Sequence, residues 1–590
     1  MTNARTNIAN GVGISLASLA CLLAATACSP EDPPSQDRIL ISLIGTNDVH
    51  GVFSPEPDRG GLVTISGYVD AVRAARSEDG GAVLLIDAGD MWQGMLESNL
   101  AEGATVVEAY NAMEYTAAAI GNHEFDFGPL GEAATPQNEG DDPRGNLKQR
   151  ASEMDFPLLN ANLIDQSTGK LVDWNNVSPS VLIDVQGIKV GIIGVITTRA
   201  LITTIPSNVV GLEVEPLAES VTREATALRG NGAQMIIVSA HAGSECTEFL
   251  DPYDLSSCNM DGEIMRVANA LPQGLVDHIV AGHTHDRVAH IVNGISITSG
   301  IARTISFSRT DFELDRKTGE IIDRKVFPPQ YPCPWISNTD GACAWDDAGD
   351  VSRAIYEGRP VNPRASVLEV AERAHALAAD VQNEKLGPYL ETPFTLDGNP
   401  ESALGNLFVD AVLWGSEGDI AIHNVTGGIR AELSAGDLTY GDVYEVFPFD
   451  NVTVVLDIAG RDLRRIIAKQ AHNHPRRAGI AGMRVVVKCA NNVMDVDMTL
   501  DDGRSIADED VIKVIANDFL ALEGDDILTP ATPEGGYVFD NSLPRTRDIL
   551  IRWFRAADDR LNQAQFLSTD APRWTLPADL PQSCQLPEPG

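Results

Sequence analysis

The stretch TAAAIGNHEFDFG (116–128) passes from a short apolar run into Gly121-Asn122-His123-Glu124-Phe125-Asp126, where four of six residues can do chemistry. The apolar part reads as a strand buried on both faces, because it is short and largely continuous rather than alternating. Similar runs lie on either side: ILISLIG (39–45), AVLLID (82–87), VGIIGVI (190–196), QMIIVSA (234–240) and VDHIVAG (276–282). Segments 216–229 and 263–271 read as helices between them. Alternation of this kind predicts a layered α/β domain.

Four of those runs also end in reactive loops. They are Asn47-Asp48-Val49-His50, Gly89-Asp90, His241-Ala242-Gly243 and Gly282-His283-Thr284-His285. In α/β sheets, sites form beyond the carboxyl ends of the strands. Asp48, His50, Asp90, Asn122, His241, His283 and His285 are therefore expected to converge. The set mixes imidazole, carboxylate and amide oxygen without thiolate, which suits zinc, manganese or a similar divalent ion rather than calcium. Seven donors match two metals sharing one carboxylate, and Asp90 is the natural bridge. A single Asp-x-His means little. The chain has only 11 histidines, however, and His50, His123, His241, His283 and His285 all fall in these loops.

In this order the motifs resemble the calcineurin-like metallophosphoesterases. GNHEFDFG followed by a second domain resembles the secreted bacterial 5′-nucleotidase / UDP-sugar hydrolase family, over roughly 39–545. The resemblance implies an N-terminal α/β/β/α sandwich and a C-terminal α+β substrate-binding domain. It implies Asp48, His50 and His285 on one divalent metal, Asn122, His241 and His283 on the other, and Asp90 bridging. Family members often carry Gln or Asn at the position of His285. His123 and Asp126 are implied as a catalytic dyad. Two divalent ions about 3.5–4 Å apart lower the pKa of a bound water and clamp an in-line displacement at phosphorus. A histidine oriented by a carboxylate can stabilise the phosphoryl oxygens or protonate the leaving group.

The second half carries a mixed set of segments: LGNLFVDAVLW (404–414), DIAIHNV (419–425), NVTVVLDIAG (451–460) and VIKVIANDFLA (511–521). Residues 367–387 read as one helix, from apolar spacing of three and four with Gly387 at the end. Pro448-Phe449-Asp450-Asn451 and Asn517-Asp518-Phe519 with Gly524-Asp525 resemble family segments in which two Phe sandwich a base, Asn contacts it and Asp binds ribose. That places Phe449, Phe519, Asn451 and Asp525 in a substrate pocket, with Arg430 of Gly427-Gly428-Ile429-Arg430 as the substrate arginine. The chain also departs from the pattern. Asn424 stands one residue further from the glycines than usual. Asp397-Gly398-Asn399-Pro400-Glu401 supplies no arginine, Glu523 replaces a glycine, and Asp526-Ile527 replaces Gly-aromatic. Fewer arginines weaken the grip on an anion, because bidentate guanidinium contacts are hard to replace.

Composition narrows the partners. With 590 residues and 43% hydrophobic content, the chain has material for two or three packed domains. A net charge of −41 argues against nucleic-acid polymers, whose binding depends on Lys and Arg replacing counterions. A small nucleotide substrate stays possible, since a metal cluster makes one pocket locally positive.

The apolar run at 11–28, preceded by Arg5, reads as an export signal. Ala25-Thr26-Ala27 fits a cleavage site that releases a soluble protein. Ala27-Cys28 resembles a bacterial lipoprotein signal with Cys28 lipidated, which is the reading taken; the lipid would be the only membrane contact. The expected location is periplasmic or cell-surface. The remaining six cysteines allow fifteen pairings. Cys246–Cys258 and Cys333–Cys343 close short loops, and Cys489–Cys584 follows by subtraction.

The expected organisation is a signal (1–28), a tether (29–38), a dimetal catalytic domain (39–327), a connector (328–365), a nucleotide-binding domain (366–575) and a tail (576–590). The expected activity is hydrolysis of nucleoside 5′-phosphates by in-line attack of a metal-bound hydroxide, extending to UDP-sugars or 2′,3′-cyclic nucleotides. A thiosulfohydrolase of sulfur oxidation and a non-catalytic surface binding module are the alternatives.

Overall fold

The computed structural model describes residues 37–586 apart from 132, 399, 473–476, 523, 534–535, 538–543, 569 and 578. The expected signal, Cys28 and most of the tether lie outside the described residues, as do Asn399, Glu523 and the last four residues of the tail. Arg38, assigned to the tether, already begins the first strand.

The apolar runs form strands in two sheets. In the first, β1 (Arg38–Thr46), β2 (Ala82–Asp87) and β3 (Ala117–Ala119) lie parallel. Ser308–Asp315 pairs antiparallel with β1 and continues the sheet on the other side. In the second, β4 (Ile188–Ile196), β5 (Met235–His241) and β6 (His278–Ala281) are parallel neighbours. Antiparallel Ser180–Val185 flanks β4.

Alternate residues of each strand point to opposite faces, so a strand covered on both sides must be apolar throughout. Ile41, Leu43, Leu84 and Ile86 face Val190, Ile192, Met235 and Ile237 in the layer between the sheets. Their neighbours point outward. Ile44 and Leu85 pack with Leu62, Val69 and Val72 of the helix Gly61–Asp79. Ile193 and Ile236 pack with Val221 and Leu228 of the helix Leu217–Gly230. Each such residue contributes about 1.5–3 kcal/mol over leaving it exposed. The result is the α/β/β/α sandwich, with the five strands that lead into site loops ending at one edge.

The C-terminal domain is mixed. A four-stranded sheet runs Thr453–Ala459, Val511–Asn517, Ile420–His423, Gly479–Ala481. It packs with the helices Ala403–Trp414 and Gly460–His472. Among the described residues three disulfides are present: Cys246–Cys258, Cys333–Cys343 and Cys489–Cys584. They match the expected pairing, and the last ties the tail to the strand Met483–Ala490.

The expected helix at 367–387 is shorter. It spans Ala365–Gln382, and Lys385–Leu390 is a strand. The spacing fails after Asn383: Leu386, Pro388 and Leu390 alternate inward while their neighbours are exposed. Backbone pairing to Gly436–Thr439 and Arg560–Leu561 captures them. The helix itself packs on the catalytic side. Val367, Val370, Ala371 and Ala374 join the core beneath the first sheet, and Ala378 meets Tyr444 of the second domain. It therefore bridges the two domains.

His375 on this helix lies between two groups of the catalytic domain. Its Nε2 is 2.6 Å from Ser54 Oγ and its Nδ1 is 3.1 Å from Glu97 Oε1. The hydrogen bond to Glu97 raises its pKa above the usual 6.5, against burial and with help from Glu56. A pKa raised in the folded state adds stability that is complete below the unfolded value and fades as pH rises through the folded one. We expect His375→Gln to lower the thermal midpoint most below pH 6.5, with the gap narrowing toward pH 8.5. A gap constant across that range in calorimetry would remove the charged pair from the account.

Candidate metal centre and substrate cavity

Each site loop leaves its strand sharply. Asp48, His50, Asp90, His283 and His285 all have positive φ, between 49° and 73°. Such backbone costs about 1–3 kcal/mol per non-glycine residue and persists only where the surroundings enforce it. Here the loops brace one another. Asp48 N donates to Gly89 O at 2.9 Å, His50 N to Asp90 O at 3.0 Å, and His283 N to Asp48 Oδ2 at 3.0 Å. Gly121 has no alternative, because a Cβ there would lie 2.3 Å from Asp90 Oδ1.

All seven expected donors come together. Asp48, His50, Asp90 and His285 place donor atoms within 4.8 Å of one another. His50 Nε2 faces His285 Nε2 at 3.1 Å, and His285 Nε2 is 3.5 Å from Asp48 Oδ1. On the other flank, Asn122 Oδ1 is 2.9 Å from His241 Nε2 and 3.1 Å from His283 Nδ1. Asp90 Oδ2 is 3.2 Å from the same His241 nitrogen. Asp90 thus lies between the flanks.

The hydrogen bonding fits a metal. His50 Nδ1 lies 2.7 Å from Gln93 O and His241 Nδ1 lies 2.8 Å from Ala88 O, so each donates there and presents an Nε2 lone pair to the site. His241 Nε2 then faces two oxygens, a position that only a proton or a cation satisfies. Without a cation, His241 holds a proton: burial opposes this, but Asp90 raises its pKa to about 10. Burial pushes Asp48 up to about 6 and Glu124 up to about 8. Burial also works to raise Asp90, yet His241, His123 and His50 hold it well below the usual range. Burial, then His241, brings His283 down to about 3; burial and Arg430 keep His50 and His285 neutral. Neutral imidazoles beside buried carboxylates short of positive charge are what a divalent cation requires.

Beside the donors stands the dyad. His123 Nδ1 is 2.6 Å from Asp126 Oδ2, and Thr204 Oγ1 donates to Asp126 Oδ1 at 2.7 Å. Burial opposes a charged His123, but Asp126 and Asp90 raise its pKa. Both residues line a cavity of about 440 Å³ between the domains.

Asp90, Asn122, His283 and His285 line the same cavity, while Asp48, His50 and His241 lie buried behind it. The opposite wall carries Arg430, Phe449, Asn451, Phe519 and Asp525. The Phe449 ring stacks at 5.8 Å on His123, with the Arg430 guanidinium 5.8 Å from its centroid. Arg430 Nη2 donates to His50 Nε2 at 3.1 Å. Asn451 Nδ2 donates to Asp518 Oδ1. Asn424 lines the cavity despite its shifted place, and its Nδ2 donates to Asp525 Oδ2 at 2.7 Å.

Three residues outside the sequence reading support the site. Glu124 accepts from the backbone N–H of Asp90, Met91 and Gly121 at 2.6–2.8 Å, fixing the Asp90 loop. Gln93 orients His50, and Arg303 joins Asp48 O to Arg430 O. Only Glu124 had a signal, its place within GNHEFD; the others act through distant backbone.

Comparison with known proteins gives a consistent picture. Residues 41–287 match the calcineurin-like phosphoesterase family, and 383–532 match the 5′-nucleotidase C-terminal domain. Endonuclease YhcR of Bacillus subtilis is 27% identical over 82% of this chain and 37% of its own length. Cell wall protein Lmo0130 of Listeria monocytogenes is 25% identical over 83% and 64%. The chain thus spans less than two thirds of either relative. Protein UshA of Escherichia coli is 27% identical over 79% of this chain and 82% of its own. Among solved structures, a 5′-nucleotidase precursor from Thermus thermophilus superposes with TM-score 0.67 at 21% identity, covering 92% of this chain and all of that one. The sulfate thiohydrolase SoxB of the same organism reaches 0.64 at 15% identity, covering 94% and 99%, a likeness of fold alone.

Proposed function

We propose that this chain, whose residues 41–287 match the calcineurin-like phosphoesterase family and 383–532 the 5′-nucleotidase C-terminal domain, is a metal-dependent phosphoric ester hydrolase that removes phosphate from nucleoside 5′-phosphates. The observation that carries the reading is the shared cavity, with a metal-binding wall facing an aromatic one. We assign Asp48, His50 and His285 to one divalent ion and Asn122, His241 and His283 to a second, with Asp90 shared. The domain limits we propose are 39–327 and 366–575, joined by 328–365.

Bound there, zinc, manganese or a similar ion supplies Lewis-acid polarisation of the phosphoryl group and a nucleophile at neutral pH. The chain's own residues do the rest. Asp126 holds His123 by Nδ1, which leaves Nε2 to donate a proton to a phosphoryl oxygen or the leaving oxygen. Arg430 offsets charge on the transferred group. Phe449 and Phe519 hold the base, Asn451 contacts it, and Asp525 takes the ribose hydroxyls. Base stacking on such rings is worth about 1–3 kcal/mol each. Three disulfides support export into an oxidising compartment, at the periplasm or cell surface. The lipid anchor on Cys28 stays part of this proposal.

The test is phosphate release by the purified protein with zinc or manganese, from AMP, ATP, a UDP-sugar, a 2′,3′-cyclic nucleotide and a simple phosphomonoester. Nucleotide turnover well above that of the simple ester is expected, with loss on chelation. Equal rates on all substrates would remove the nucleoside pocket from the account. Turnover of sulfonated thiol conjugates alone would favour the thiosulfohydrolase reading, which the missing arginines at 397–401 keep in view.

A further inference from the structure

The cavity carries one guanidinium deep inside and another at its rim. Arg430 is the inner one, against His50. Arg199 is the outer one, and it comes from the catalytic domain rather than from the domain whose expected arginines are missing.

The turn that presents Arg199 is anchored from behind. Glu263 accepts from Thr197 Oγ1, from Thr198 Oγ1 at 2.8 Å and from Thr198 N at 3.2 Å. The backbone under Arg199 is therefore held in place, while its side chain is half exposed and lines the cavity with Thr203 and Thr284. Its one carboxylate partner is across the domain boundary: Nη2 lies 3.1 Å from Asp526 Oδ2, with the two side chains 53% and 38% exposed. An ion pair so exposed adds little stability. The guanidinium can exchange it for a better anion, and its planar fork matches two phosphate oxygens.

We propose that Arg199 forms a subsite for a second phosphate group, the one linking the transferred phosphoryl to the nucleoside in a nucleoside diphosphate or a related phosphoanhydride. The inference rests on the nucleotide reading above. A monophosphate presents its single phosphate to the metal wall and Arg430. A diphosphate puts a further phosphate between that wall and the aromatic pocket, where Asp525 and Asp526 would repel it. Arg199 is the cation placed to receive it, and Asp526 holds the side chain in position until it does. Rim arginine and rim aspartate thus have opposite effects on substrate choice.

The experiment compares kcat/KM for ADP and AMP in the full protein and in Arg199→Ala, Arg199→Lys and Asp526→Ala. The ADP-to-AMP ratio is expected to fall at least tenfold in Arg199→Ala, to recover in part with lysine, and to hold or rise in Asp526→Ala. If the pair is only a clasp between domains, Arg199→Ala and Asp526→Ala lower both substrates together and leave the ratio unchanged, which overturns the subsite. If the wild type cleaves only a simple phosphomonoester, the nucleotide reading fails and Arg199 is judged by inhibition of that reaction. Pyrophosphate losing at least tenfold more potency than phosphate in Arg199→Ala supports the subsite; equal losses overturn it.

Discussion

Asp90→Asn is expected to lower phosphate release by about a thousandfold or more, since the carboxylate that we propose two ions share would carry several kcal/mol of the catalytic effect. Its side chain groups with Asp48, His50 and His285 on one flank and meets His241 on the other. One oxygen faces His241 Nε2 at 3.2 Å and the other accepts from His123 N at 2.9 Å. An asparagine keeps the shape and the second of these contacts, so the fold should survive. It removes the carboxylate that, against burial, His241, His123 and His50 hold well below the usual range. Metal content by elemental analysis should fall with activity. A variant that keeps both metals and full turnover would displace Asp90 from the bridging role.

His123→Ala should cost about a hundred- to ten-thousandfold in kcat, the usual span for a positioned acid or base. Its signature differs from that of Asp90→Asn, because metal content should be retained. His123 donates through its backbone to Asp90 and keeps its ring toward Asp126 and Phe449. The backbone contact survives the substitution while the proton donor does not. Asp126→Asn should fall between wild type and His123→Ala, since the amide still holds the ring but no longer raises its pKa. Loss of metal in His123→Ala would make the residue a ligand-positioning group instead.

Some features could be read from single segments. The six core strands were legible because a strand buried on both faces is apolar throughout, which leaves a local signature. The loops after them were legible because histidine is scarce in this chain and five of its copies cluster there. The helix at 365–382 was legible at its start and misjudged at its end. Past Asn383 the apolar residues alternate in twos over a stretch too short to stand out from the helix, and pairing with Gly436–Thr439 and Arg560–Leu561 makes it a strand. That pairing partner is remote in sequence.

Sequence alone determined the donor types, their order along the chain and the side of the strands on which they lie, because these follow from residue chemistry and from the direction of a parallel strand. Short loops suggested two of the cysteine pairs, and the tertiary structure closed all three. Tertiary structure decided the rest. Left-handed backbone at Asp48, His50, Asp90, His283 and His285 turns seven donors into one site, and that backbone is enforced by neighbouring loops. Gln93 and Arg303 support the site through contacts with main-chain atoms remote in sequence, which leave no local signal. Arg199 reaches the substrate cavity only because the second domain closes over its turn, since a contact between domains depends on packing that neither segment encodes by itself.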